Sequence, residues 1–366
     1  RRPPWGRRPG YPPDTTNGDT TASDGLGKVP MTALSQSRLH PGEGSLRLRA
    51  PRRPRSLLPG SRIAYVYVLP FFLVFAAFSI YPWAATAWVS LHDTRLTTYD
   101  QSSWIGLENY RNLFTNDFFW NAFRNTITIG IISTVPQLCM ALGIAHLLNY
   151  HLRGRTFFRV AILMPYATSL AAATVIFAEL FDPKLGLINW SLQTLHLPTV
   201  DWQGSKWPSQ IAVSSIVIWR WTGYNALIYL AGMQAISTDL YEAAAMDGAG
   251  RWAQFRHVTL PGLRPTILFT IVVSTIGAAQ LFGEPLLYHN GLPDGGTQGQ
   301  YQTLGLLMYQ QGWTNDRLGL ASATAWTMFL IIVVAVCTNL LLARGRASRE
   351  GRRASIVAAM PEVTAR

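Results

Sequence analysis

The sequence predicts an all-α polytopic membrane protein with six transmembrane helices and both tails on the cytoplasmic side. Three observations carry this. Six apolar segments, 63–91, 126–148, 160–180, 211–233, 266–288 and 318–343, each approach or exceed the roughly 20 residues that cross a bilayer. Of the 366 residues, 49% are hydrophobic and only 14% charged, where a soluble chain carries about 25% charge. Finally, Lys and Arg number 24 on the two tails and the 149–159 and 234–264 loops, against 6 on the alternate loops. Basic loops are the cytoplasmic ones.

Taken in order, residues 1–60 are rich in Pro, Gly, Ser, Thr and Arg without hydrophobic period, and read as a disordered basic cytoplasmic tail. The sequence opens without methionine, and Met31 is a candidate start. Arg47, Arg49, Arg52, Arg53, Arg55 and Arg62 precede the first apolar run, where they serve as a solvated tail or as an anchor to anionic membrane lipid. A net charge of +12 would also fit nucleic acid, but its one-sided distribution argues for the membrane and against a nucleic-acid partner. A signal peptide ending near Ala85-Thr86-Ala87 competes for the first segment; the apolar run is too long for one. Residues 61–125 then hold the first transmembrane helix and an external segment, 126–345 the core domain, and 346–366 a cytoplasmic tail. Cys139 and Cys337 sit inside apolar runs, so no disulfide framework or metal site is expected.

One cytoplasmic loop is unusual. Residues 241–261 read YEAAAMDGAGRWAQFRHVTLP. Asp239 is a candidate N-cap with Glu242 completing a capping pair. Tyr241, Ala245, Gly248, Trp252 and Phe255 recur at helical spacing. Gly248 predicts a bend between two short helices, with a stop at Leu260-Pro261. Such an element is a docking surface or, more plainly, a capped surface helix. The spacing Glu242-Ala243-Ala244, Asp247-Gly248-Ala249, Phe255, Val258, Leu260-Pro261 resembles the EAA loop of binding-protein-dependent ABC import permeases, with Val258 where isoleucine is usual. In that family the loop, here 237–261, is the coupling helix seated in the ATPase subunit. This assigns the coupling role to Glu242, Ala243, Ala244, Asp247, Gly248, Ala249, Trp252, Phe255, Leu260 and Pro261.

The resemblance extends over roughly residues 63–345. Trp104-Ile105-Gly106-Leu107-Glu108-Asn109-Tyr110, Leu163-Met164-Pro165, Phe181-Asp182-Pro183, Gly186-Leu187-Ile188-Asn189 and the run Leu230 to Ile236 are similar to sugar-import permeases. The basic N-terminus and Gln280-Leu281-Phe282 resemble the MalF-type half. The resemblance implies a MetI-like permease fold, a second MalG-type permease, two ATPase subunits that use ATP and Mg, and an extracytoplasmic solute-binding protein. It also implies a plasma-membrane location and a sugar or oligosaccharide as solute.

The chain offers no chemistry of its own. Gly25-Leu26-Gly27-Lys28 is too short for a phosphate-binding loop, and neither H-E-x-x-H nor G-x-S-x-G occurs. It therefore reads as no enzyme, with no directly bound cofactor and no metal. Translocation instead needs polar and aromatic groups at membrane depth. Arg220, Trp221, Tyr224 and Asn225 in the fourth segment and Gln280, Phe282 and Glu284 in the fifth supply them. A charge there costs about 2.5–3.5 kcal/mol unless paired or hydrated, so Arg220 faces a water-filled path or pairs with Glu284 or Glu179. Permeases for glycerol phosphate or polyamine would share the loop and differ here, and an unpaired Arg220 would favour an anion. A polytopic enzyme or receptor is the remoter reading. Pro82 and Pro136 are expected to kink their helices, and 291–299 to form a flexible external loop.

Overall fold

The computed structural model describes residues 61–150 and 153–358. Residues 1–60, with the arginine cluster except Arg62, residues 151–152 and the last eight residues lie outside them. The first span is α1 (Ser61–Phe75), a π-helical turn at Ala76–Ile80, and α2 (Tyr81–Ser90). Pro82 occupies the first turn of α2, where its missing N–H costs least. The π-turn before it absorbs the register change expected of a kink.

Outside this span a two-residue ladder pairs β1 (His92–Asp93) with β2 (Ser103–Trp104), His92 opposite Trp104. The short α3 (Glu108–Thr115) follows. Asn109 Nδ2 donates to the carbonyls of Ser90 and His92, both at 2.9 Å, and the Tyr110 hydroxyl meets Ser90 Oγ at 2.9 Å. Two of the motif residues in this segment thus fasten it to the end of the first span.

α4 (Asp117–Asn149) runs unbroken through Pro136. The predicted third span is two helices, α5 (Arg155–Ala167) and α6 (Leu170–Leu180), meeting at 88°. Pro165 removes one donor near the helix end, and there Thr168 Oγ1 donates to the Met164 carbonyl at 3.0 Å while Thr168 N turns to the Pro165 carbonyl. The short α7 (Leu187–Thr194) is held by Asn189. Its Nδ2 donates to Pro183 and Val200 carbonyls, and its Oδ1 accepts from Trp202 Nε1 at 3.0 Å. α8 (Lys206–Gln234) packs most extensively on α4.

The loop helices are α9 (Thr238–Met246), α10 (Arg251–Gln254), a π-turn at Phe255–Thr259, and α11 (Leu260–Gly262). α12 (Arg264–Ala279) leaves them at 65°. The fifth span then breaks at Gln280–Phe282 before α13 (Gly283–Tyr288). Last come α14 (Leu304–Tyr309), a π-turn at Gln310–Thr314, and α15 (Leu318–Ala358). α15 continues past the predicted end at 343 because Ala, Arg and Glu dominate there and favour helix.

Among the described residues three helices are long and apolar enough to cross a membrane, or five if each bent pair is one span. α8 is not among them despite its 29 residues, being diluted by Gln210, Arg220, Asn225 and several serines. It is the central helix, with Ser209, Gln210, Ser214, Thr222 and Asn225 all buried. Small residues permit its close approaches, as expected where helices pack in lipid. A Cβ on Gly223 would collide with the Ile162 backbone of α5, and one on Gly232 would crowd Leu263 and Thr266. The window of the first span, by contrast, has no fully buried residue, though Trp83 packs on Trp326 of α15.

Candidate functional site: a polar cavity and an exposed loop

The residues predicted for the pathway converge. Arg220, Trp221, Tyr224, Asn225, Gln280, Phe282 and Glu284 all line one cavity of about 700 Å³ between α4, α8 and the broken fifth span. Helical period sorts the aromatic run of α8: Trp221 and Tyr224 line the cavity, while Trp219 turns outward against Phe177. Tyr166 supports the pair from behind, stacked on Tyr224 at 4.8 Å and edge-on to Trp221 at 5.2 Å.

Arg220 Nη1 meets Glu284 Oε1 at 3.2 Å, both side chains largely buried. Of the two expected partners the structure selects Glu284; Glu179 is exposed. The ion pair spans α8 and α13, and it leaves Arg220 Nε enclosed without a partner. The break before α13 is held open by Thr303, whose Oγ1 donates to the Leu281 carbonyl at 2.6 Å. Non-helical backbone is tolerated at membrane depth only where it is covered by protein or lines a cavity, and here both hold.

Three polar lining residues escaped the sequence reading: Thr134, Gln137 and Ser274. Their signal was available, since amide and hydroxyl groups in mid-span are uncommon on a lipid face. Gln137 directly follows Pro136, which drew attention as a kink instead.

The expected flexible loop 291–299 is exposed at Gly291, Leu292, Thr297 and Gln298 and packed inward at three of its glycines. Gly295, Gly296 and Gly299 through Leu307 are buried. Asn125 Nδ2 donates to the Gly299 carbonyl at 2.8 Å, and Gln210 Nε2 to Asn125 Oδ1 and the Gln300 carbonyl, each at 2.9 Å. The glycines are there for positive φ, +68° and +92° at Gly295 and Gly296. A Gly-rich composition concealed a segment clamped by the buried amides of α4 and α8.

The docking loop is bent where expected. Gly248 has φ +78°, and Ala249 N donates back to the Ala244 carbonyl at 2.9 Å while Gly248 N donates to Ala245 at 3.0 Å. This is a left-handed helix stop. Two details differ from the prediction. The N-cap is Ser237, whose hydroxyl accepts from Asp239 N at 3.3 Å; Asp239 sits in the first turn, where its charge still suits the helix dipole. Leu260-Pro261 is no stop, because the π-turn shifts the register and Pro261 falls in the first turn of α11. The change of direction comes at Leu263 instead.

The single stripe also divides at Gly248. Tyr241 turns inward, its hydroxyl 3.0 Å from Thr259 Oγ1, and Phe255 packs edge-on to His146 at 4.5 Å. Trp252 is 72% exposed and Met246 89% exposed. Glu242, Ala243, Asp247 and Pro261 are exposed too, while Ala244, Ala249 and Leu260 are half-buried. Behind the loop lies a second cavity of about 400 Å³, lined by His146, Tyr150, Tyr241, Arg251 and Phe255 among others.

The model of the binding-protein-dependent transport system inner membrane component matches residues 137–347, well over half of the chain. The chain belongs to that family. It is a permease of the inner membrane, and it is similar to curated permeases over nearly their whole length. The sulfoquinovosyl glycerol transport permease SmoG of Agrobacterium fabrum is 33% identical, covering 80% of this chain and 94% of SmoG. The trehalose/maltose permease MalF of Thermococcus litoralis is 30% identical, covering 78% and 95%. The sn-glycerol-3-phosphate permease UgpA of Shigella flexneri is 32% identical, covering 75% and 91%. Among solved structures, a bacterial alginate ABC transporter crystallised with a pentasaccharide-bound periplasmic protein matches with a TM-score of 0.64 at 21% identity. That match covers 77% of this chain and 94% of the other. It shares the fold.

Proposed function

We propose that this permease carries a neutral sugar or oligosaccharide through the 700 Å³ cavity. The observation that carries the reading is the Arg220–Glu284 pair: the cation lining the cavity is already neutralised, and amides, hydroxyls and the faces of Trp221 and Tyr224 surround it. Hydroxyl-rich solutes suit this lining, since aromatic faces take the apolar side of a sugar ring and amides its hydroxyls. Several curated relatives are sugar permeases. A second reading has one specific support, the glycerol-phosphate permeases among the relatives; the paired Arg220 weighs against an anionic solute.

The chain acts as the MalF-type half of an importer, beside a MalG-type permease, two ATPase subunits and an extracytoplasmic binding protein. Both termini lie in the cytoplasm. ATP and Mg belong to the ATPases, and this chain hydrolyses nothing. Closure of the ATPases pushes on Glu242 to Pro261. The bend at Leu263 passes the motion into α12, and the break at Gln280–Phe282 lets α13 and Glu284 move relative to α8. A cavity that binds solute more weakly in one state than the other is what ATP then drives between them.

Uptake competition in cells tests the solute. Labelled oligosaccharide uptake should be displaced by unlabelled disaccharide and not by glycerol 3-phosphate. Displacement by glycerol 3-phosphate alone would overturn the sugar reading.

A further inference from the structure

At the end of the molecule that carries the docking loop, two guanidinium groups converge on one neutral oxygen. Arg155 opens α5 after Gly154, which sits at φ +78°. Arg159 lies one turn on, so the two like charges share a face. Gln234, the last residue of α8, satisfies its amide with Oε1 turned towards them. It then accepts from Nη2 of both Arg155 and Arg159, the latter at 2.8 Å. The Nε of each arginine is sealed from solvent and has no partner. Neither Arg155 nor Arg159 is in the ion pairs Arg220–Glu284 and His289–Asp294, and no carboxylate among the described residues answers either cation. The first N–H groups of the 13-residue α5 add positive potential at the same place. One amide oxygen does not offset two cations and a helix start. The arrangement is short of an anion.

The neighbouring side chains identify its kind. Phe157 is 72% exposed, Val160 58% and Phe158 44%, all on the first turns of α5. A free phosphate needs no apolar surface beside its site, whereas a phospholipid brings acyl chains that do. Basic groups at the membrane surface with aromatics directed to the chains are the physical requirements for an anionic headgroup.

We infer that Arg155, Arg159 and the start of α5 hold the phosphate of an anionic phospholipid, with Phe157 and Phe158 against its acyl chains. The inference rests on the chain being a membrane permease and not on its solute. Gln234 stands three residues before the Ser237 cap of the docking loop, so the lipid would anchor the point from which that loop moves.

The test uses the purified transporter complex in mild detergent, titrated with phosphatidylglycerol, phosphatidylcholine or inorganic phosphate and read by native mass spectrometry. Wild type should retain phosphatidylglycerol over phosphatidylcholine by on the order of tenfold or more. Arg155→Ala/Arg159→Ala should lose that preference, while the charge-matched Arg251→Ala/Arg256→Ala should keep it. Phe157→Ala, at an exposed position that folding does not need, should weaken retention several-fold. Equal retention by wild type and Arg155→Ala/Arg159→Ala would overturn the inference. Displacement of the lipid by millimolar inorganic phosphate would assign the site to a soluble anion and overturn it too. Retention is read without transport, so a failed solute assignment would leave this result intact.

Discussion

The cavity and the docking loop, both built largely from polar and aromatic residues, are finished to different degrees. In the cavity the main demanding groups, Arg220 Nε apart, are answered within the chain: Arg220 by Glu284, Asn225 by the Trp221 carbonyl at 3.2 Å, the open carbonyl of Leu281 by Thr303. In the loop Trp252 and Met246 project outward at an end of the molecule where basic residues accumulate and water is expected. On the reading proposed above, these exposed apolar side chains are the chain's half of an interface with an ATPase. The difference teaches where to expect independence: the cavity should tolerate isolation of the chain, and the loop should be functional only with a partner.

Substitutions can break this contrast. The largest effect is expected from Gly248→Pro. Proline cannot adopt φ +78°, and it removes the N–H that bonds Ala245. Uptake should fall to background while membrane insertion and the cavity persist, measured by transport assay and by solute binding in detergent. Next comes Arg220→Ala, which leaves Glu284 buried and unpaired and should cost roughly 3–5 kcal/mol of stability. Thermal unfolding in detergent should show the loss, and Arg220→Ala/Glu284→Gln should recover much of it. If the double variant is stable yet has an altered KM for uptake, the pair acts on the solute path as well as on packing.

Trp252→Ala sharpens the other side. The exposed ring contributes little to this chain, so unfolding should be unchanged. ATPase association should weaken by about 2 kcal/mol, roughly thirtyfold in affinity.

The smallest effect concerns the clasp between Asp316 and Leu96–Thr97. Asp316 accepts from the N–H groups of Leu96 and Thr97, at 2.7 and 3.0 Å, and from the Thr97 hydroxyl. These bonds, the hydroxyl first, hold its carboxyl below the usual carboxylate range. A lowered folded value means the clasp is fully present above the unfolded pKa of about 3.9 and is lost only as pH falls through the folded value. Hydrogen exchange at Leu96 and Thr97 should therefore be flat from neutral pH to about 5 once corrected for its intrinsic pH dependence. Asp316→Asn should raise it throughout that range.

Much of this was legible in the residues, and the rest fails for identifiable reasons. Gly248 announced a bend because helix-interior glycine is costly, and the structure uses it for a left-handed stop. The seven cavity residues were found because charge and amide at membrane depth need a reason. The 88° break after Pro165 and the gap at Gln280–Phe282 were hidden by uninterrupted apolar composition, since hydropathy measures length and not straightness. The packed 295–303 segment was hidden by glycines that read as flexible, when the amides clamping it come from Asn125 and Gln210, more than 80 residues away. The cap at Ser237 was missed for a nearer-seeming Asp239, a shift of two residues that leaves the helix intact.

The most direct measurement is affinity purification of the tagged chain from membranes, with identification of what accompanies it, for wild type and Gly248→Pro side by side. The wild-type chain should bring an ATPase and a second permease, and Gly248→Pro should keep the permease and lose the ATPase. A wild-type chain that emerges without an ATPase, or a Gly248→Pro chain that retains it and imports normally, would contradict the account of the loop.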